Sequence, residues 1–515
     1  MRDSYTEADV LARSFPLLLI SLSLIYLLIE VPLLDRVPLI AIDEAWYGNT
    51  AHNLASGHGL INTNVGERGG DQFFLYALVL SAAFKLCGTS LWVGRLVSVL
   101  LGVITLVGWG FVCRALAVHL SSFILTSALF ITSNVYFIVF RRLRPEALVI
   151  ALSVWAVYFL LRAWKTCHFR DFFLCALLVG GSACAHPNGT LLAVLLGLLI
   201  AARALQERAI VRPALGYATG GLVIILLFSL GWGLLRQQPI FDFLKADLLA
   251  SHRVSTTPSH LLGVVETNLS TFVPTYSLGF KRLYILLFEF GVLLIGLGRY
   301  RHDRQAALLS LVGLIWFAAA VTFFTPFYRW AFGTVILFSL AVTARLLSVA
   351  VVSLSSRVRK VIWLMAFFYG LNNVIGDAYV VKHNLSNTAY SRLTETLRTF
   401  VPDGVPVFIP IQLWFGFQSN EVYTPFTRTF ANPHGSIIRL LKSGHIRYVV
   451  LSATLSEGLS PITGQKDYSA YESNVRYERL YQQAHAEVDN HYRRVAVVPT
   501  HGYGKIEIWE YPTMP

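Results

Sequence analysis

From its start to about residue 380, the chain alternates long apolar runs with short polar stretches. A helix needs about 17 to 25 largely apolar residues to cross the hydrocarbon core of a bilayer. Runs of that kind fall at roughly 15–35, 91–112, 117–140, 147–163, 172–185, 190–205, 214–235, 283–298, 306–325, 331–353 and 361–380. One further run, Phe73 to Cys87, is only about 15 residues long and ends beside Lys85, so it suits either a thin bilayer or the interface. Basic residues decide between the two. Four later loops each carry three: Arg162/Lys165/Arg170, Arg203/Arg208/Arg212, Arg299/Arg301/Arg304 and Arg357/Arg359/Lys360. With the N-terminus inside and Phe73–Cys87 not crossing, all four face the cytoplasm, as the positive-inside rule requires. The pattern predicts 11 spanning helices, with the N-terminus in the cytoplasm and the C-terminus outside.

On that topology three polar regions share the outer face: a loop at about 36–90, a second at about 236–282, and everything after 380. The last region changes character. It reads as helix 388–400, strand 406–410, helix 435–443, strand 446–452, helix 468–485 and strands 493–499 and 504–511. Mixed strand and helix patterns of this length predict a small α/β domain. The expected organisation is therefore a polytopic α-helical membrane module, 1–380, followed by an extracytoplasmic α/β domain, 381–515.

Composition agrees. Hydrophobic residues make up 55% of the 515 and charged residues 14%, against about 25% charged in soluble domains. Disorder and a water-facing multidomain enzyme are both excluded. The net charge of +13 sits in the short basic loops, which marks membrane orientation and anionic lipid rather than nucleic acid. The five cysteines, Cys87, Cys113, Cys167, Cys175 and Cys184, show no metal-type spacing and read as small buried hydrophobes. The polar N-terminus precedes an apolar run with no small-residue cleavage site, so the first segment reads as an uncleaved helix. No internal repeat stands out, which counts against an inverted-repeat transporter.

Candidate chemistry lies where polar residues meet the outer face. Asp43-Glu44-Ala45-Trp46-Tyr47 follows the first apolar run. Paired acids at a helix start have an electrostatic explanation in the helix dipole; alternatively, one serves as a base at the bilayer edge. Arg141-Arg142-Leu143-Arg144-Pro145-Glu146 places three arginines on the outer side, against the positive-inside trend. They either snorkel to lipid phosphates or recognise a substrate phosphate. A third group, His252-Arg253 and His260, lies in the second outer loop, where a lone histidine is as compatible with plain exposure as with a ligand.

These residues carry a resemblance. Asp43-Glu44 with Tyr47 and Gly57 resembles the first-loop signature of GT-C membrane glycosyltransferases, in the branch of the protein O-mannosyltransferases and lipid A aminoarabinose transferases. Gly88-Thr89-Ser90-Leu91-Trp92-Val93-Gly94-Arg95-Leu96 is similar to that branch's G-x-S-x-W-x-x-R-L step into a helix. Arg144-Pro145-Glu146 is similar to its outer Arg/acid motif, and His186-Pro187-Asn188-Gly189 to its Lys/His-x-x-Gly turn. Arg253 with His260, and Phe327-Tyr328-Arg329-Trp330, fall where the branch has loop Arg/His and Arg/Tyr pairs. The acid-Lys-Pro step of that branch reads here as Asp71-Gln72-Phe73, so only the acid is kept.

The resemblance implies an inverting glycosyltransferase of the cell inner membrane. It would use a polyprenyl-phosphate-linked sugar as donor and a lipid, glycan or protein hydroxyl as acceptor. Asp43 would be the general base, with Glu44 beside it. Arg144, Arg253, Lys281, Arg282 and Arg329 would hold the donor phosphate, while Glu146 and Tyr47 would contact substrate. In some relatives a divalent metal is shared by the acid and the loop histidine, which makes Asp71 and His260 the metal ligands to expect. The C-terminal domain would support the module or handle the acceptor. Two other readings stay open: a ligase or polymerase of lipid-linked glycans, and a flippase for lipid-linked sugars. A flippase would place ionisable groups along a mid-bilayer path, where Glu30 and Glu289 are the few candidates.

Overall fold

The computed structural model describes residues 2–64, 74–207, 210–236, 279–323, 332–348, 355–425, 427, 437–456 and 471–512. In chain order its helices are α1 (Arg2–Glu30), α2 (Ile42–Ala55), α3 (Phe74–Cys87), α4 (Leu91–Ala115), α5 (Leu120–Ile131), α6 (Asn134–Phe140), α7 (Glu146–Thr166), α8 (Phe169–Ala185), α9 (Pro187–Gln206) and α10 (Val211–Arg236). They continue as α11 (Gly279–Leu297), α12 (Arg304–Phe323), α13 (Phe332–Ser348), α14 (Ser356–Asn384), α15 (Tyr390–Arg398), α16 (Ile437–Lys442), α17 (Ala453–Ser456) and α18 (Tyr471–His491). The strands are β1 (Pro406–Phe408), β2 (Glu421–Tyr423), β3 (Tyr448–Ser452), β4 (Arg493–Thr500) and β5 (Gly504–Glu510), and a 3-10 helix covers Ile411–Gly416.

Each apolar run expected to span the membrane forms a helix or a bent pair. Among the described residues five helices, α4, α7, α9, α10 and α14, are long and apolar enough to cross, and α5 with α6 makes a sixth if the pair, bent by 57°, is one span. The other expected spans are represented by the shorter apolar stretches Ser14–Glu30, Leu287–Leu297, Arg304–Ala319 and Gly333–Ser348, and by the 17-residue α8. The run expected to lie outside the count is α3, a helix of 14 residues.

The chain divides into two compact units. The first comprises Met1–Pro32, Ser98–Phe140 and Pro145–Ala378. In it α7 and α10 pack on α8, and α11, α12 and α13 pack on one another. Small residues let α8 and α10 approach closely: a Cβ at Gly216 would lie 2.4 Å from the Phe169 carbonyl oxygen, and one at Gly220 would lie 2.7 Å from that of Phe173. That four-residue spacing of small residues is a common contact device between membrane helices. Leu222, Ile225, Leu226, Leu230 and Leu234 of α10 are exposed, which suits a lipid-facing side. Asp303 caps α12, its Oδ1 accepting from the N–H groups of Gln305 and Ala306 at 3.1 Å each.

The second unit comprises Leu33–Val97, Arg141–Arg144 and Tyr379–Pro515. It therefore joins residues 33–97 and the three-arginine segment to the C-terminal region. Its five-stranded sheet has the order β2-β1-β3-β5-β4, with β1 parallel to β2 and β3, and β5 antiparallel to β3 and β4. Phe408, Val449, Leu451 and Trp509 from the sheet share a core with Leu440, Leu441 and Ile446 and with Ala484 and Val488 of α18. The α/β pattern expected after residue 380 is present, with β2 and the 3-10 helix in addition.

Candidate active site

The site is built at the start of α2. Ala41 is extended, and its N–H donates to Glu44 Oε2 at 2.9 Å, so the third helical residue closes the first turn. The same carboxylate receives Arg95 from α4 in a two-point contact, Nε to Oε1 at 2.8 Å and Nη2 to Oε2 at 2.9 Å. The Leu143 N–H adds a second donor to Oε1 at 3.1 Å. Both side chains of this pair are 0% exposed. Burial opposes charge on Glu44, but the Arg95 guanidinium, aided by Arg142 and the Ala41 N–H, holds its carboxyl below the ordinary 4.5. Both oxygens of this carboxylate are taken up by fixed donors. Glu44, grouped with Asp43 as catalytic from the sequence, thus occupies a supporting position.

Asp43 faces the other way. Its side chain is 45% exposed, and Oδ2 accepts a hydrogen bond from Arg144 Nη1, whose own side chain is 7% exposed. No described residue hydrogen-bonds its Oδ1. One turn along, the Tyr47 ring meets Tyr76 of α3 edge-on, with centroids 5.9 Å apart. The three-arginine segment is held in place as well: Arg141 Nε donates to the Val37 carbonyl at 3.1 Å. Leu143 lies so close to α4 that a Cβ on Gly94 would fall 2.0 Å from its Cδ1. Gly94, one residue before Arg95, is what permits that approach.

Beyond the carboxylates, α2 is pinned by buried amides. Asn53 Nδ2 donates to Asn49 Oδ1 at 3.1 Å, which in turn accepts the Thr63 N–H at 2.8 Å, and Asn62 Nδ2 donates to the Trp46 carbonyl at 3.1 Å. Gly57 and Gly59, with φ of 81° and 86°, make the reversal that brings residues 61–64 back along the helix. His52 is half-buried, shares a 2.9 Å hydrogen bond with Thr89 Oγ1 and is pushed below 6.5 by burial and by His58.

The structure thus brings Asp43, Glu44, Tyr47 and Arg144 together. Glu146 is buried at the first turn of α7, in the first unit. Asp71, Arg253, His260 and Arg329 lie outside the described residues, as do the side chains of Lys281 and Arg282 on α11. Among the described residues no three His, Cys, Asp or Glu side chains gather as a metal group. Sequence reasoning gave Arg95 no role. The available signal was a charge in the first turns of an apolar helix whose other charge, Arg114, lies at its far end; its partner, 51 residues away, emerges only on folding.

The fold is that of the GT-C membrane glycosyltransferases. ArnT from Cupriavidus metallidurans bound to undecaprenyl phosphate matches with a TM-score of 0.59 at 12% identity, covering 96% of this chain and 98% of that one. The apo state of the same protein gives 0.58 at 11% identity, covering 97% and 98%. The Archaeoglobus fulgidus oligosaccharyltransferase tethered to an acceptor peptide gives 0.54 at 12% identity, covering 96% of this chain and 74% of that one. The profile of the dolichyl-phosphate-mannose-protein mannosyltransferase family matches residues 71–232. No curated protein matches by sequence. The chain accordingly resembles the mannosyltransferase and ArnT-like branch, as its motifs indicated.

Proposed function

We propose that this chain is an inverting glycosyltransferase. It would move a sugar from a polyprenyl-phosphate-linked donor to a hydroxyl of a lipid, glycan or protein acceptor, at the outer face of the cell inner membrane. The observation that carries the reading is the contrast between neighbouring carboxylates on α2. Glu44 is locked in the buried Arg95 pair, while Asp43 is half-exposed beside Arg144. The fold adds support, since ArnT is solved with undecaprenyl phosphate bound.

In the proposed reaction Asp43 Oδ1 takes the acceptor hydroxyl proton as that oxygen attacks the anomeric carbon. The bond from the anomeric carbon to the phosphate oxygen breaks, and the electron pair leaves with the polyprenyl phosphate. Negative charge grows on that phosphate, so fixed cations beside it lower the barrier. Arg144 supplies one, and Arg253, Lys281, Arg282 and Arg329 are proposed for the others. Tyr47 and Glu146 would position the sugar. Were a divalent ion to take part, Asp71 and His260 would be its ligands, and it would supply further charge against the phosphate.

A carrier of lipid-linked sugars is the second reading, favoured by one observation: Glu289 of α11 is 2% exposed, and its Oε1 has no hydrogen-bond partner among the described residues. One assay separates the two. Purified protein is incubated with radiolabelled undecaprenyl-phosphate mannose and, separately, the aminoarabinose equivalent, with a crude envelope extract as acceptor. Release of undecaprenyl phosphate with transfer of label from at least one donor is expected. Donors that stay intact while crossing a vesicle bilayer would favour the carrier.

A further inference from the structure

The C-terminal region touches the helix that carries Asp43, within the same compact unit. Gly48 of α2 lies one turn beyond Glu44 and faces Phe415 of the 3-10 helix Ile411–Gly416. A Cβ on Gly48 would fall 2.3 Å from the tip of that ring, so only glycine admits the contact as it stands. Trp414 meets the His52 ring edge-on at 5.6 Å between centroids, and Phe415 meets Phe84 of α3 at 6.4 Å. Polar contacts continue the seam. Gln418 Nε2 donates to the Thr89 carbonyl at 3.2 Å, and the hydroxyls of Thr424 and Thr427 both donate to the Asn64 carbonyl at 2.9 Å.

The 3-10 helix is itself braced from behind. The Tyr390 hydroxyl of α15 donates to the Gln412 carbonyl at 2.8 Å, and a Cβ on Gly416 would lie 2.6 Å from the Thr394 side chain. The β4–β5 turn closes the other end: Gly502 packs on Asn387 and Leu39, and the neighbouring Tyr503 is buried. Residues from after position 380 therefore border α2 itself and the segment that leads into it, at Asp35 and Leu39.

We infer that the C-terminal α/β domain is a working part of the transfer site: Phe415, seated on Gly48, is a positioning residue that sets how α2 presents Asp43. This rests on Asp43 being the base. The physical reason is leverage. Asp43 lies on the same rigid helix as Gly48, five residues away, so a shift of the helix at Gly48 moves the carboxylate with it. A misplacement of about 1 Å in a reacting group costs on the order of 10²-fold in rate.

The test is a compensating pair in the full chain. Gly48→Ala should lower kcat by roughly tenfold or more, as expected for a sub-ångström to ångström displacement, while KM for the undecaprenyl-phosphate sugar that the wild type uses is unchanged. Adding Phe415→Ala makes room for the new methyl and should raise kcat part of the way, to the few-fold deficit expected of a variant without the Phe415 ring. Phe415→Leu alone, which adds no bulk, should lower kcat by a few-fold with KM unchanged, and it decides the matter if Gly48→Ala does not fold. Full kcat in folded Gly48→Ala, or in folded Phe415→Leu, overturns the inference. So does a loss in Gly48→Ala that Phe415→Ala fails to relieve. Failure of the Asp43 reading is distinguishable, because it shows as an active Asp43→Asn enzyme whatever these variants do.

Discussion

Arg95 with Glu44 in one unit, and Arg345 with Asp303 in the other, are both arginine Nε–carboxylate contacts of 2.8 Å. Their surroundings differ. Arg345 is 20% exposed and Asp303 7%. The remaining contacts of that pair are helix ends: Asp303 caps α12, and Arg345 Nη1 donates to the Leu116 carbonyl just past α4. Its neighbour Lys165 donates to the Ala115 carbonyl. All of this ties helix ends together. The Arg95–Glu44 pair is sealed from solvent, yet the residue before Glu44 projects a half-exposed carboxylate beside a second arginine. A buried ion pair thus speaks for architecture, and a site is marked by what the pair holds at the surface.

The largest expected effect breaks the comparison at Arg95. Arg95→Met leaves a buried carboxylate unpaired, which typically costs about 3–5 kcal/mol, read as a sharp fall in thermal stability. Replacing both partners, Arg95→Met with Glu44→Leu, should restore much of that stability, because a well-packed apolar pair avoids the desolvation cost. Transfer should remain impaired in that double variant, since α2 has lost its anchor; full activity would show that the pair holds nothing of catalytic importance. Arg345→Met comes next, at roughly 1–3 kcal/mol for the lost charged hydrogen bonds. Its transfer rate per folded molecule should match wild type. A large rate loss there would erase the distinction between the pairs.

Smaller effects follow pH. The folded Glu44 carboxyl is held below its ordinary 4.5. Its contribution to stability is therefore complete above about that pH and is lost as pH falls through the folded value. Melting curves from neutral pH down into the acid range should steepen below 4.5 in wild type and flatten in Glu44→Gln. His52, pushed below 6.5 by burial, has the same sign. The unfolded chain takes up the proton first, so stability drops as pH falls from 6.5 towards the folded value. This is the smallest effect, and its absence in His52→Gln is the check.

Much of the fold was legible because apolar length is a strong signal: α4, α7, α9, α10 and α14 each lie over a run read from the sequence. The bend between α5 and α6 was not legible, since neither Thr132 nor Ser133 is a marked helix breaker. In the C-terminal region, β3, β4, β5 and α18 follow from alternation and periodicity. The three-residue β2 and the 3-10 helix carry too few positions for either signal. At the site, Asp43 and Arg144 were named from sequence, but their contact joins positions 101 apart. The different fates of Asp43 and Glu44 depend on which one meets Arg95. Adjacent residues on a helix point about 100° apart, and only tertiary packing decides which is enclosed.

The central claim, that Asp43 accepts the proton in sugar transfer, is tested most directly by comparing Asp43→Asn with wild type in two measurements on the same preparation: turnover of the undecaprenyl-phosphate sugar, and binding of undecaprenyl phosphate. The amide keeps the shape and can still accept from Arg144, so the fold and phosphate binding should persist. Turnover should fall by roughly 10²–10⁴-fold, the contribution of a positioned base. Turnover within a few-fold of wild type in folded, ligand-binding Asp43→Asn protein would contradict the account.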